Sequence, residues 1–292
     1  RLDRSPAAWD VRNEVARVEP LERRGISPSK LTDEERRALG RLPERRKTVE
    51  AHRSLSERVV ELEDEGLYAV LGRGTCDVQA LAARLNTLTA EWRALLLRYW
   101  VVRYDRPDLA VVAVFSEAPF ALYALGRAYR EAALAAGSRV LVWEFQPGHG
   151  GRKGPSVERV LAPRPAQSLE APRDGVIGLG LELVGPAAFP RFEGEIGVHT
   201  FQERESSSPC LVEVAGSGID VYEPPKGIER RGAIPSQPLC RAYDLPSSKA
   251  TDVRLQKSFS WKEHDLGSLL GELIERRLQA TAEEELLGGD EE

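Results

Sequence analysis

Methionine is absent from this chain, and its 292 residues include only three cysteines, Cys76, Cys210 and Cys240. The cysteines lie far apart and form no CxxC pair, so neither a zinc site nor a disulfide framework is indicated, and reduced thiols are expected. No apolar run reaches the roughly 18–20 residues of a membrane span, so no membrane partner is expected. The four histidines, His52, His149, His199 and His264, are scattered without HExxH or similar ligand spacing, which leaves no metal motif. No serine sits in a GxSxG elbow. The glycines of "GLGLELVG" open no helix and make no dinucleotide fingerprint. "GHGGRKG" (148–154) could cradle an anion with its amides, Arg152 and Lys153, but it lacks the GxxxxGK[ST] spacing and reads as a flexible hairpin loop. Carboxylates are plentiful, yet none pair in a way that marks a catalytic acid and base. The residues alone therefore point to no reaction, no metal, no cofactor and no small-molecule substrate.

What the chain does contain is globular material, with 41% hydrophobic and 30% charged residues, enough to build a core and too apolar for a disordered polymer. A formal charge of −5 argues against a protein that coats phosphates all over, although unevenly spread arginines can still form a basic face. The chain opens on Arg1. A trimmed presequence and a sequence that starts late would each account for that.

Along the chain, residues 1–29 carry several prolines and no lasting period, and predict an extended arm with Trp9 as an apolar anchor. "LTDEERRALG" holds a capping box, Thr32 with Glu35. Helical character runs on through residue 71, with Val49, Leu55, Val59, Leu62 and Leu67 on one stripe. After "GRGTCD", Asp77 can cap a second helix in which Leu81, Leu85, Leu88 and Trp92 recur, so residues 30–103 predict a helical hairpin or small bundle. The pattern then changes. "RPDLAVVAVFS" reads as a buried strand, and "EAPFALYALGRAYREAALAAGS" as an amphipathic helix closed by Gly137. Further strands follow at "RVLVWEF", "GVIGLGLELVG" and "CLVEVAGSGIDVYE", with a short helix or turn at "AAFPRFEG". The last part has strands around "TDVRLQKSFSW", a helix over "LGSLLGELIERRLQATAEEELL" and an acidic end. The fold class expected is α+β.

Three segments carry a resemblance. "AAFPRFEGEIGVHTFQ" is similar to the gaYgrLkfEsGvHRvQR signature of class I peptide chain release factors, with Glu195, Gly197, His199 and Gln202 on matching positions. "EAPFALYALGRAYREAA" resembles a helix of that family, with Glu117 and Tyr129 in step. "CRAYDLPSSKATDVRL" resembles its IRTYnfPqnRVTDHRi segment, where Arg241, Tyr243, Pro246, Thr251, Asp252 and Arg254 hold their places. The closing helix also resembles the family's, with a small register change. The resemblance implies a helical domain (30–103) and a mixed α/β decoding-type domain made of two segments (104–223 and 240–280), followed by an acidic tail (281–292).

The family's hydrolysis domain, with its Gly-Gly-Gln motif, would fall between "IDVYE" and "CRAYD". Only Pro224 to Leu239 stand there, with four prolines. A piece so short cannot form a core of its own, so 224–239 predicts a tether. Gln237, between Ser236 and Pro238, lacks the glycines that such a motif needs for close backbone approach. The family's stop-codon loop is also shortened, because Gln202 runs into "ERESSSPCLVEV", and the signature's two arginines are Thr200 and Glu203. These features predict a non-enzyme with twelve signature residues in structural roles. They suggest a structural component of a mitochondrial ribosome, located in the matrix, whose partners are ribosomal proteins and rRNA. The alternative is a soluble regulatory factor that binds ribosomes or mRNA without hydrolysing peptidyl-tRNA. The basic clusters "ERRALGRLPERRK" and "IERRGA" are candidate rRNA contacts or simply solvated faces, and Trp9 and Trp100 are candidate apolar anchors.

Overall fold

A computed structural model describes residues 6–71, 77–104, 106–147, 157–164, 169, 171–173, 175–203, 206–216, 237–261 and 266–287. The chain divides into two compact units, residues 1–105 with 279–292, and residues 106–278.

The first unit is helical. α1 (Pro6–Arg23) leads through a short 3-10 turn at Pro28–Lys30 to the long α2 (Asp33–Val70), and α3 (Val78–Val101) returns along it. The capping box forms. Thr32 Oγ1 accepts from the Glu35 amide at 3.2 Å, and the Glu35 carboxylate accepts from the Thr32 amide at 2.8 Å. Asp77 Oδ1 likewise accepts from the amides of Gln79 and Ala80 at 3.0 and 3.1 Å. Two ion pairs, Arg58–Glu91 and Arg84–Glu65, set the antiparallel register of α2 and α3.

Residues 6–23 are not an extended arm. Ala8, Val11, Val15 and Val18 recur at spacings of three and four, a helical stripe of which Val15 and Val18 pack with Ala38 and Leu42 of α2. The prolines do not prevent it. Pro6 opens the helix, where its missing N–H costs nothing, and Pro20 falls in the last turns. The buried side of α2 also differs from the expected stripe. Ala38, Leu42, Arg45, Thr48, His52 and Leu55 are buried, whereas Val59, Leu67 and, on α3, Leu85 are exposed. Trp9 is exposed as expected of an anchor, but Trp100 is buried, with its ring edge-on to Tyr104. The cluster "ERRALGRLPERRK" is largely neutralised within the unit. Arg45 and Arg41 pair with Glu14, Arg46 with Glu19 and Glu22, and Arg36 with Asp33.

The second unit holds one nine-stranded sheet, β1 (Leu109–Phe115), β2 (Arg139–Pro147), β3 (Val157–Arg164), β4 (Gly178–Val184), β5 (Gly197–Glu203), β6 (Ser206–Ala215), β7 (Leu239–Asp244), β8 (Lys249–Asp252) and β9 (Lys257–Ser260), in the order β3-β2-β4-β1-β6-β5-β7-β8-β9. Every neighbouring pair is antiparallel except β5 and β7. β1 is buried along its whole length, as its unbroken apolar run requires. The helices α4 (Pro119–Ala135) and α6 (Leu266–Leu287) share a large apolar cluster with one sheet face, through Leu122, Leu125, Tyr129, Leu270, Leu273 and Ile274. α4 begins with Pro119 in its first turn and is followed by Gly137 at φ +79°, a left-handed conformation suited to glycine. α5 (Ala188–Glu193) is a short helix feeding β5.

Residues 281–287, expected in an acidic tail, are the last turns of α6. Ala282 and Leu286 are buried there, so the acidic residues between them occupy only the outer side. The loop 148–154, Cys76 and residues 217–236 lie outside the described residues, and with them most of the expected tether. Its attachment points are described. β6 runs antiparallel to β5, and β7 runs parallel to it with Leu239 beside Val198. The chain therefore leaves β6 and rejoins at β7 on the same end of the sheet, two strand spacings apart, which is about 10 Å.

Replacing Thr32 with alanine removes one half of the capping box and leaves a first-turn amide unpaired. It should cost about 1 kcal/mol in urea unfolding followed by far-UV circular dichroism; an unchanged midpoint would mean that the cap contributes nothing.

Candidate functional site

The strongest concentration of polar chemistry is a buried charge network in the second unit. Arg241 and Asp252 face each other across β7 and β8, and His199 stands beside Arg241 on β5. Arg241 lies with both Nη atoms on the Glu195 carboxylate, at 2.9 and 3.1 Å, while its Nε and Nη2 reach Asp252 Oδ2 at 3.1 and 2.7 Å. Arg277, from α6, binds the same two carboxylates at 2.7 and 2.5 Å, and also donates to the Gly194 carbonyl. Tyr129 donates to Glu195 at 3.0 Å. Two carboxylates thus balance two guanidinium groups. Glu195, His199, Arg241 and Asp252 are all at most 1% exposed.

Burial would push the Glu195 carboxyl up, but Arg241 and Arg277 more than offset it and hold it down at about 2. Asp252 is lowered for the same reasons, burial acting against and the two arginines in favour of the charged form. Burial also drives His199 down to about 4, with Glu195 only partly opposing it, so the ring is neutral near pH 7. Its Nε2 lies 3.0 Å from the Glu195 backbone carbonyl, which can only accept, so Nε2 carries the proton. Nδ1 then faces the Tyr243 hydroxyl at 3.5 Å. Burial pushes the Tyr129 hydroxyl well up, and Glu195 adds to the effect.

Nothing here is poised to transfer a proton or attack a substrate. The carboxylates are committed to arginines, the imidazole is neutral, and none of them meets solvent. Glu195, His199 and Cys240 lie close enough together to suggest a metal site, but a cation there would face Arg241 and Arg277, and burial raises the Cys240 thiol pKa, with Glu195 adding to it. These residues do not fit a metal ion. Cys210 is also buried, with its thiol pushed up to about 12 by that burial.

Of the signature residues, Tyr129, Glu195, His199, Arg241, Tyr243 and Asp252 come together in this network. Arg254 braces it from outside, donating to the carbonyls of Gly194 and Ile196 at 2.6 and 3.1 Å. Gly197 sits next to it at φ +140°, and a Cβ there would lie 2.8 Å from the Pro238 carbonyl. Only glycine fits both constraints. Glu117 is exposed ahead of α4, and Gln202 is exposed on β5. Thr251 is exposed and hydrogen-bonds Ser258 across β8 and β9. Pro246 lines a cleft of about 860 Å³ with Phe120, Phe201 and Trp261, the last two of which pack on Tyr243 of the network. Ser206, which also lines that cleft, donates to the Glu203 carbonyl. The sequence reading missed Arg277, although a signal was present: it shares the apolar side of α6 with Leu270, Leu273 and Ile274.

No family model matches the chain, and no curated protein matches it. Among solved structures, RF2 of Thermus thermophilus superposes with a TM-score of 0.53 at 18% identity, over 94% of this chain and 96% of that one. The fold is release-factor-like, an α+β architecture with helices ahead of the sheet unit, as expected from the sequence.

Arg241→Met should destabilise the second unit by about 3–5 kcal/mol in urea unfolding, because it leaves two buried carboxylates with Arg277 as their one arginine; a change under about 1 kcal/mol would show that the network is slack. The acid side should be equally telling. His199 has its pKa lowered from 6.5 to about 4 on folding, so its contribution is complete above pH 6.5 and fades as the pH falls towards 4. Glu195, lowered from 4.5 to about 2, loses its own contribution only below pH 4.5. The stability of His199→Gln should therefore depend less on pH between 6.5 and 4 than that of the unaltered protein; parallel curves would refute the neutral, buried imidazole.

Proposed function

We propose that this chain is a non-catalytic relative of the release factors that serves as a structural component of a mitochondrial ribosome. One contrast carries the reading. The buried network of a release-factor-like fold is intact, while the chain contains no Gly-Gly-Gln and has only Pro224 to Leu239 where a hydrolysis domain would stand. The neighbouring attachment points on β6 and β7 support it, since a short segment can join them.

The codon-facing loop is reduced in the same way. β5 and β6 stay paired out to Glu203 and Ser206, so only Arg204 and Glu205 remain between them, outside the described residues. Glu203 places negative charge at this end of the hairpin, which disfavours contact with RNA phosphates. Contacts with rRNA would then have to come from elsewhere on the chain, and the cluster in α2 is already held by α1 carboxylates.

Sedimentation of organelle lysate on sucrose gradients, with the protein followed by antibody at low and high salt, tests the proposal. The chain should remain with one ribosomal subunit at high salt and should release no peptide from stop-programmed ribosomes, with Gln237→Ala behaving as the unaltered protein. Release from the subunit at high salt would favour a transient ribosome- or mRNA-binding factor. Codon-dependent peptide release above buffer would overturn the non-enzymatic reading.

A further inference from the structure

The distal half of the α2–α3 hairpin carries apolar side chains that are exposed among the described residues. Val60, Leu67 and Leu71 on α2 are 55%, 57% and 56% exposed. Each follows Leu42 by close to a whole number of helical turns, about five, seven and eight at 3.6 residues per turn. They therefore continue the side of α2 on which Leu42, 1% exposed, packs with Val18 of α1. The ion pairs of α1 with α2 lie between Glu34 and Arg46. Beyond them the same side of α2 carries Arg53, paired with Glu57, and then the exposed Val60, Leu67 and Leu71, with Val70 also exposed.

The charge on this side reverses along the helix. Near its start, α2 presents Arg41, Arg45 and Arg46, and α1 answers with Glu14, Glu19 and Glu22. Further along stand Glu61, Glu63, Asp64 and Glu65. By helical position Glu63 and Asp64 flank the Val60–Leu67–Leu71 stripe on either side, and neither makes an ion pair among the described residues. An acidic border repels nucleic acid. It also repels a second copy of the same stripe.

We infer that this face docks an amphipathic helix of a partner protein, one whose apolar stripe is bordered by arginine or lysine. It would lie on distal α2 much as α1 lies on proximal α2, with the signs of the charges exchanged. The inference does not depend on whether the host assembly is a ribosome.

The full chain can be titrated with a fluorescent synthetic helix carrying leucines at i, i+3, i+4 and i+7 between lysines and arginines, and with the same helix bearing glutamates in their place. The basic helix should bind and the acidic one should not. The triple variant Val60→Ser, Leu67→Ser, Leu71→Ser should weaken binding by about tenfold or more, and Glu63→Gln with Asp64→Asn should weaken it less and remove most of its salt dependence. Because these side chains are exposed, circular dichroism and melting should be unchanged. A matched substitution on the other unit, Leu141→Ser, should leave binding intact. Equal binding of the acidic helix, equal binding by the triple variant, or no binding of the basic helix would each overturn the proposal. So would self-association of the unaltered chain that the triple variant abolishes, which would make the occupant a second copy.

Discussion

The second unit is organised around the contact of Arg241 with Glu195 and Asp252, closed from the other side by Arg277. A lone guanidinium or carboxylate at this depth would carry a desolvation cost of several kcal/mol. The network is tolerable because its charges balance, two of each sign with His199 held neutral; hydroxyl and backbone groups take up most of the remaining hydrogen bonds, although Arg277 Nε is buried without a partner among the described residues. Such a set contributes less net stability than its number of contacts suggests, since each ion leaves water to join it. What it does contribute is uniqueness of arrangement. Only one register of β7 on β8, and one rotation of α6, puts all four groups within reach of each other.

That constraint acts between parts of the chain that are distant in sequence. Glu195 and His199 come from the α5–β5 corner, Arg241 and Asp252 from a hairpin more than forty residues later, and Arg277 from the final helix. The intervening segment leaves and rejoins at neighbouring points on one end of the sheet. A core fastened in this way does not rely on what lies between residues 216 and 237, because the parallel pairing of β5 with β7 and the buried ions already fix the return strand. The physical tolerance for gain or loss of material there follows from strand order and from the network together.

Local signals were legible in the sequence wherever a short-range rule decides the outcome. The Thr32–Glu35 box, the Asp77 cap, the continuous apolar run of β1 and the glycine after α4 each act within a few residues, and the change from a helical to a mixed strand-and-helix pattern after residue 103 carries the α+β class. Errors arose where tertiary partners decide. The α1 stripe was obscured by two prolines at harmless positions, and the exposed residues of distal α2 looked like core because apolar spacing does not reveal whether a neighbour exists. Residue type alone does not reveal that Trp100 is buried. Arg277 was hidden for the opposite reason: a charge on an apolar helix face is easily taken for a surface residue, and its partners lie far away in sequence.

The period of β5 separates two kinds of information within one short motif. Gly197, His199 and Phe201 point inward and are buried, while Thr200 is half-exposed and Gln202 is exposed, with Glu203 exposed at the strand's end. The inward positions hold the network and the aromatic stack of Phe201 on Tyr243, so substitution there would disturb the core. Thr200 and Glu203, which stand where the release-factor signature has its two arginines, are less buried, Thr200 on the other face of the strand and Glu203 at its exposed end. Gln202 keeps its match although it is exposed, so the division is not complete. A fold can therefore keep its buried positions under packing constraint alone while its exposed positions vary. In this chain the buried residues of the motif are evidence of architecture.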